Sequence, residues 1–291
     1  MGNFGDRMVD AVERKSSCVV AGLDPRIDSL PDALRARAAK SRADAAQAIL
    51  DFNLAVLDAV APHCVAVKPQ SAFYEALGWE GVRAYAETVR AARERDLIVI
   101  GDVKRGDIGS TAEAYAEGHL DLFQSDSVTV NPYLGIDGIA PFLKRAEAGQ
   151  GVFVLVKTSN PSSVELQDLE SGGRPIYEHV AALVHTWGEK SVGRSGYSAA
   201  GAVVGATFPE AAARLRGMMP NAIFLVPGYG AQGATARDCR PCFDARGRGA
   251  VVNSSRGIIF AYGKNGGASW AQAVRDAARK MQQELEAVRK T

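Results

Sequence analysis

The sequence predicts a single-domain α/β protein, a (β/α)8 TIM barrel, on three observations. Eight short β-rich runs recur along 291 residues. Most of them are continuous and apolar rather than alternating, as strands buried on both faces of a parallel sheet must be. Helical patterns separate many of the runs, and most runs end in a charged or special residue. A barrel of this kind gathers its strand ends at one mouth, where its chemistry lies.

The runs cover residues 18–23, 65–68, 97–102, 127–130, 152–156, 202–205, 222–226 and 249–253. Between the first two, Ala45, Ala48, Ile49, Phe52, Val56, Ala59 and Val60 recur at three- and four-residue steps and predict a helix. Val82, Tyr85, Ala86, Val89 and Ala92 do the same before the third. Ser110-Thr111-Ala112-Glu113 reads as a capping box that starts a helix after the third strand, and Thr207-Phe208-Pro209-Glu210 as a second box after the sixth. Residues 176–187 read as a helix inside a long connection. The chain closes on a helical stripe of Trp270, Val274, Ala277, Ala278, Met281, Leu285 and Val288. No linker divides the chain, so one barrel domain is expected over 1–291, with long loops at about 24–44, 157–201 and 228–248.

Composition narrows the function classes. The chain is 47% hydrophobic and 23% charged, with a formal net charge of +1, which argues against nucleic acid or an anionic membrane as partner. No apolar run is long enough to span a bilayer. The first residues lack the apolar core of a signal peptide. Gly2 is followed by Asp6 where a myristoylation motif wants Ser or Thr. A cytoplasmic protein is expected. Cys18, Cys64, Cys239 and Cys242 include one C-x-x-C with no second pair for a zinc ribbon, and they read as reduced thiols rather than a redox pair. His63, His119, His179 and His185 form no metal-ligand spacing and read as ordinary surface or helix residues.

The chemistry concentrates at the strand ends. Asp102-Val103-Lys104-Arg105-Gly106-Asp107-Ile108 follows the third run. Residues two apart on a strand share a side, so Asp102 and Lys104 should project together. A cation beside a carboxylate suits stabilisation of carbanionic charge and delivery of a proton. Alternation cannot place Asp107, which lies beyond Gly106 and could instead cap the next helix. Lys68 ends the second run, where Pro69 favours extended backbone; snorkelling to solvent is the alternative. Asp24 follows the first run, Asn131-Pro132 the fourth and Lys157-Thr158-Ser159-Asn160-Pro161 the fifth. After the seventh comes Pro227-Gly228-Tyr229-Gly230-Ala231-Gln232-Gly233, and after the eighth Asn253-Ser254-Ser255-Arg256-Gly257. The last two loops are the usual phosphate site of the fold. Gly228, Gly230 and Gly233 let backbone N–H groups approach an anion, Gln232 can donate a side-chain N–H, and Arg256 can grip phosphate oxygens bidentately. Together they point to a phosphorylated ligand.

The pattern Asp-x-Lys-x-x-Asp-Ile, with Thr111 four residues after Asp107 and Lys68 closing the preceding strand, resembles the orotidine 5′-phosphate decarboxylase family. The Pro-Gly-x-Gly-Ala-Gln-Gly loop and Arg256 match it too. The likeness runs from about Asp24 to Arg256, and the longer loops with Lys-Thr-Ser-Asn-Pro are similar to the family's longer bacterial subgroup, type 2. The resemblance implies decarboxylation of orotidine 5′-phosphate to UMP and CO2 without cofactor or metal, the last step of de novo pyrimidine biosynthesis. It implies a homodimer with shared active sites. It assigns Lys104 to stabilise and protonate the C6 carbanion-like centre within a Lys68-Asp102-Lys104-Asp107 array, Asp102 lying near the departing carboxylate. Asp107 and Thr111 would reach the partner's site, Asp24 would bind a ribose hydroxyl, Ser159 the pyrimidine edge, and Gln232 and Arg256 the phosphate. In the alternating array each lysine has a carboxylate neighbour that favours its charged form. Ser254-Ser255-Arg256 stands where many relatives carry Gly-Arg, and the resemblance assigns nothing to Cys239 or Cys242. The nearest alternative is a Mg-dependent sugar-phosphate decarboxylase or aldolase of the same suprafamily. Those relatives carry an acidic residue where this chain has Lys68. A silent nucleotide-binding barrel is the alternative from another class.

Overall fold

The computed structural model describes residues 2–230, 232–263 and 270–291. The chain opens with helix α1 (Phe4–Lys15), then alternates β1 (Val19–Leu23), α2 (Asp32–Ala38), α3 (Arg42–Val60), β2 (Ala66–Pro69), α4 (Ser71–Glu75), α5 (Trp79–Glu94), β3 (Ile98–Arg105) and α6 (Gly109–Ala116). It continues through β4 (Ser127–Val130), α7 (Ile136–Leu143), β5 (Gly151–Lys157), α8 (Ile176–Gly188), β6 (Ala200–Val204) and α9 (Pro209–Met218). The last elements are β7 (Phe224–Val226), α10 (Ala236–Cys239), β8 (Ala250–Ser254), α11 (Arg256–Ile259) and α12 (Trp270–Arg289). The eight strands are parallel and close in sequence order, β8 returning to β1, so the fold is the expected barrel. β1, β6 and β7 are buried along their whole length, which is why their sequences are continuous apolar runs; β2, β4 and β8 are as fully buried but carry polar residues, among them Lys68, Thr129 and Asn253.

The helix α1, which the sequence reading did not include, closes the N-terminal end of the barrel. Phe4 packs edge-on against Phe153 of β5, ring centroids 5.8 Å apart. Arg7 forms an ion pair with Asp126 at the foot of β4, and Asp126 also accepts the Val99 N–H of β3 at 2.8 Å. At the other flank, Phe52 of α3 stacks on Trp270 of α12, centroids 5.2 Å apart, joining the last helix to the first half of the barrel. The long connection after β5 carries a short hairpin (Glu170–Ser171 with Arg174–Pro175) and then α8, which begins where the sequence pattern begins. Among the described residues no helix is long and apolar enough to cross a membrane.

Two local expectations fail. Neither proposed capping box forms. α6 starts at Gly109 with Ile108 as N-cap and no side-chain cap, and α9 starts at Pro209 with Phe208 as N-cap. Glu113 is drawn instead to Arg145, at 2.7 Å, and Thr207 donates to the Ser159 carbonyl at 3.4 Å. Among the described residues a capping box forms at α10, between Thr235 and Asp238.

His119 is no surface residue. It is buried in a π-helical stretch that follows α6, and the Arg105 Nε donates to its Nε2 at 3.2 Å. Burial first, then the Arg105 charge, push its pKa down to about 4, so it folds as neutral imidazole. The unfolded His binds a proton below about pH 6.5 and the folded one resists it, so this contribution to stability is complete above that pH and is lost as pH falls toward 4. His119→Gln should therefore reduce the drop in unfolding free energy between pH 7 and pH 5 by roughly 1 to 2 kcal/mol. Urea titrations of both proteins at the two pH values check this; an unchanged drop would mean that His119 titrates in the fold as it does in the unfolded chain.

Candidate active site

A cavity of about 680 Å³ opens at the C-terminal ends of the strands. Its walls include Asp24, Lys68, Asp102, Lys104, Ser159, Gln232 and Arg256, seven of the nine residues singled out in the sequence. Asp107 and Thr111 are not among its lining residues. Asp107 accepts the Ile108 N–H at 2.9 Å, and Thr111 is exposed on α6.

The centre of the site is a charge cluster built by strand register. Asp102 bridges to Gln70, two residues past Lys68, so the long lysine side chain must reach one pleat along the barrel to meet the short aspartate. Lys68 Nζ donates to Asp102 Oδ2, and Lys104 Nζ donates to Oδ1 at 2.5 Å. The Thr129 hydroxyl of β4 donates to the same Oδ1 at 2.9 Å. Side-chain exposure is 7% for Lys68 and 8% for Asp102 but 48% for Lys104, so the array has two buried members and one that faces the cavity.

Burial alone would raise the Asp102 pKa. The charges of Lys68 and Lys104 and the hydrogen bonds from both outweigh it and hold the carboxyl well below the usual range. Burial alone would lower the Lys68 pKa, but Asp102, and behind it Asp24, raise it above the ordinary lysine value. Both groups are therefore charged at neutral pH.

β3 runs three residues further than the sequence pattern marks, through an irregularity between Gly101 and Arg105. Lys104 sits there at φ 44°, a left-handed conformation rare for a lysine. Thr129 supports it, its oxygen accepting the N–H groups of both Val103 and Lys104 at 3.0 Å. Thr129 is the residue that sequence reasoning missed; β4 is only four residues long, and Thr129 shares a face with Ser127 in a buried strand. Asn253, named in the sequence only as the residue that opens the segment after the eighth run, was given no role there. It lines the cavity with a buried Oδ1 that has no hydrogen-bond partner among the described residues, as does one oxygen of Asp24.

At the opposite wall Gly228, Gly230 and Gly233 all take positive φ (107°, 71° and 93°), which a side chain would oppose. The Gly230 and Gly233 N–H groups are spent inside the loop, on Ala234 O and Gly230 O, so they do not approach an anion as expected. Gln232 and Arg256 carry the exposed donors of that wall. Ala231 lies outside the described residues. Cys239 and Cys242 are free and buried, and burial pushes the Cys242 thiol up to about 12, the reverse of a reactive pair.

An α/β barrel with an ion-paired lysine in its C-terminal mouth and an arginine in the same cavity has the makings of an enzyme of the barrel class, a donor set able to do acid–base work on an anion. The model of the orotidine 5′-phosphate decarboxylase / HUMPS family matches residues 20–269. The chain is 44% identical to orotidine 5′-phosphate decarboxylase of Rhodopirellula baltica, over 98% of this chain and 99% of that one. It is 42% identical to that of Caldicellulosiruptor saccharolyticus, over 90% and 91%. The crystal structure of putative orotidine 5′-phosphate decarboxylase from Streptomyces avermitilis superposes with a TM-score of 0.82 at 34% identity, covering 100% of this chain and 97% of that one. The chain belongs to the orotidine 5′-phosphate decarboxylase / HUMPS family, and the relatives just named are carboxy-lyases by name.

The cluster predicts an asymmetry in stability. Asp102→Asn leaves two lysines facing each other, one of them buried, and should cost about 3 to 5 kcal/mol. Lys104→Ala leaves the buried Lys68–Asp102 pair intact and removes only a half-exposed partner, for a cost of about 1 kcal/mol or less. Chemical denaturation of the two variants checks this, and equal losses would show that Asp102 is not the keystone of the cluster.

Proposed function

We propose that this protein decarboxylates orotidine 5′-phosphate to UMP and CO2, the last step of de novo pyrimidine biosynthesis. The observation that carries the reading is the Lys104 ammonium, held at 2.5 Å by one oxygen of a buried carboxylate and half exposed to a cavity that also holds Arg256 and Gln232. The C6–carboxylate bond breaks, its electron pair stays on C6, and CO2 leaves. Lys104 stabilises the developing charge and then donates a proton to C6, and water restores the ammonium. Asp102 orients Lys104 and lies where the departing carboxylate would be repelled. Lys68 fixes Asp102 and approaches the ribose region. Asp24, with an unsatisfied buried oxygen, accepts a ribose hydroxyl. Ser159 meets the pyrimidine edge, and Gln232 with Arg256 grips the phosphate. Binding energy from that remote phosphate can be used at the reacting carbon.

The metal-dependent alternative calls for an acidic group at the end of β2, where this chain places Lys68, and the reading needs no metal or cofactor. Four free cysteines suit the reducing cytoplasm, where we place the reaction.

Asp107 and Thr111 lie on the rim outside their own cavity, which suits donation to the site of a second copy. Ile108, Tyr115, Tyr133, Leu134 and Ile136 are exposed on the same neighbouring elements, Tyr133 at 81%. An apolar surface of this kind fits burial in a homodimer.

Purified protein should consume orotidine 5′-phosphate, followed by loss of its absorbance, and should do so equally in EDTA. Lys104→Ala should remain folded and lose turnover by several orders of magnitude. No conversion by folded protein would sink the reading, and EDTA-sensitive action on a sugar phosphate would hand the chain to the metal-dependent alternative.

Shared sites make a separate prediction. Asp102→Ala and Asp107→Ala proteins should each be nearly inactive, and mixing them should restore activity through heterodimers that assemble one intact site. Heterodimers without recovery would place Asp107 outside the machinery.

A further inference from the structure

One wall of the cavity is a loop tied shut at its base by a group that does not line the cavity. β5 ends in Lys157, whose side chain is 2% exposed. Its Nζ donates to Asp168 Oδ1 at 2.5 Å and to Ser163 Oγ at 3.2 Å, and it lies 4.3 Å from the centroid of the Phe208 ring. The next residue is tied as well. The Thr158 N–H donates to Gln167 Oε1 at 3.0 Å, and Gln167 Nε2 donates back to Thr158 Oγ1 at 2.8 Å. Two consecutive residues at the start of the loop thus hold two consecutive residues at its end. Between the ties run Ser159, Asn160, Ser162 and Leu166, all on the cavity wall. Ser159 is seated against β6: a Cβ on Gly205 would come within 2.9 Å of its Cα.

A buried lysine is an expensive way to fill this space. Phe208 and Tyr177 flank it, and an apolar side chain of the same length would pack there without desolvating an ammonium. What the charge adds is direction: it selects Asp168 as its partner and so fixes where the far end of the loop returns. We infer that the Lys157–Asp168 pair, with the Thr158–Gln167 bracket, is a latch that sets the base-facing wall, and that Lys157 is a positioning residue for discrimination of the pyrimidine ring. The inference rests on the site reading proposed above, because it takes the Ser159 wall to be the one that meets the base.

The latch sets the base-facing wall, whereas the Arg256 grip on the phosphate lies on α11, beyond β8; Gln232 stands beside Ser159, a Cβ on Gly228 coming within 3.4 Å of its Oε1 and 3.6 Å of Ser159 Cβ, so Arg256 is the phosphate contact that the latch leaves in place. Binding of UMP should therefore separate from binding of ribose 5-phosphate, which lacks the base. Lys157→Met, close in length and apolar, should weaken UMP by about tenfold, raise KM for orotidine 5′-phosphate alike, and leave ribose 5-phosphate affinity unchanged. Asp168 is 41% exposed, so Asp168→Ala removes little packing, although it leaves the buried Lys157 ammonium without its anion, and it should show the same split. Asp168→Asn, which keeps a carbonyl acceptor, should recover part of the loss. If Lys157→Met does not fold, the Asp168 pair of variants decides. Equal losses for both ligands, or no loss for either, would overturn the latch. A wild-type protein that binds UMP no better than ribose 5-phosphate would overturn the site reading and the latch with it, whereas a discriminating wild type with equally discriminating variants overturns the latch alone.

Discussion

The carboxylate of Asp102 is the group on which the catalytic end of this barrel depends. A buried carboxylate is costly unless it is paired and hydrogen-bonded. Asp102 is satisfied from three strands at once, by Lys68 of β2, Lys104 of its own strand and Thr129 of β4. One anion shared by two cations leaves positive charge over, and burying both cations would compound the cost. The structure resolves this by burying Lys68 and leaving Lys104 half exposed, so the surplus charge faces the cavity. The lysine proposed for the chemistry is the one whose burial would cost the cluster most.

This arrangement requires strain at one end and rigidity at the other. Lys104 holds a left-handed backbone conformation within an irregular stretch of β3, and such residues persist only where their surroundings over-determine them. Thr129 supplies the local restraint. The far end of the barrel supplies the rest: α1 seats Phe4 against β5, and Asp126 ties Arg7 to the backbone of β3. The stabilising contacts lie under the N-terminal ends of the strands and the strained, charged ones at their C-terminal ends, a division this fold imposes generally.

The strands were legible because burial on both faces leaves an unbroken apolar run, and the charged residues closing those runs marked the mouth. The predicted 127–130 coincides with β4, and seven of nine chosen residues meet in one cavity. What the sequence hid follows from tertiary context. The extension of β3 through Lys104 depends on the Thr129 hydroxyl of a neighbouring strand, which no local period reports. Glu113 fits a capping box on paper but finds Arg145 on another element, and a charge-assisted partner outweighs a marginal cap. His119 reads as polar, yet it is buried as the acceptor for Arg105, the residue that follows Lys104. Lys157 was noted only as part of a motif, because its partner Asp168 lies across a loop whose closure the sequence does not encode visibly.

The same cluster also separates the two chemistries weighed for this chain. A magnesium site at the barrel mouth needs carboxylate oxygens with lone pairs to spare and no cation already beside them. Here both oxygens of Asp102 are taken by ammonium groups, and Thr129 adds a third donor. The β2 position that an acidic ligand would occupy is a lysine whose pKa is raised by the pairing, so it does not give up its charge to make room. A divalent ion would have to displace two cations from their shared partner and leave one of them buried and unpaired. The donor set is therefore matched to holding ammonium groups, which supports the proposal that lysine supplies the positive charge and the proton here.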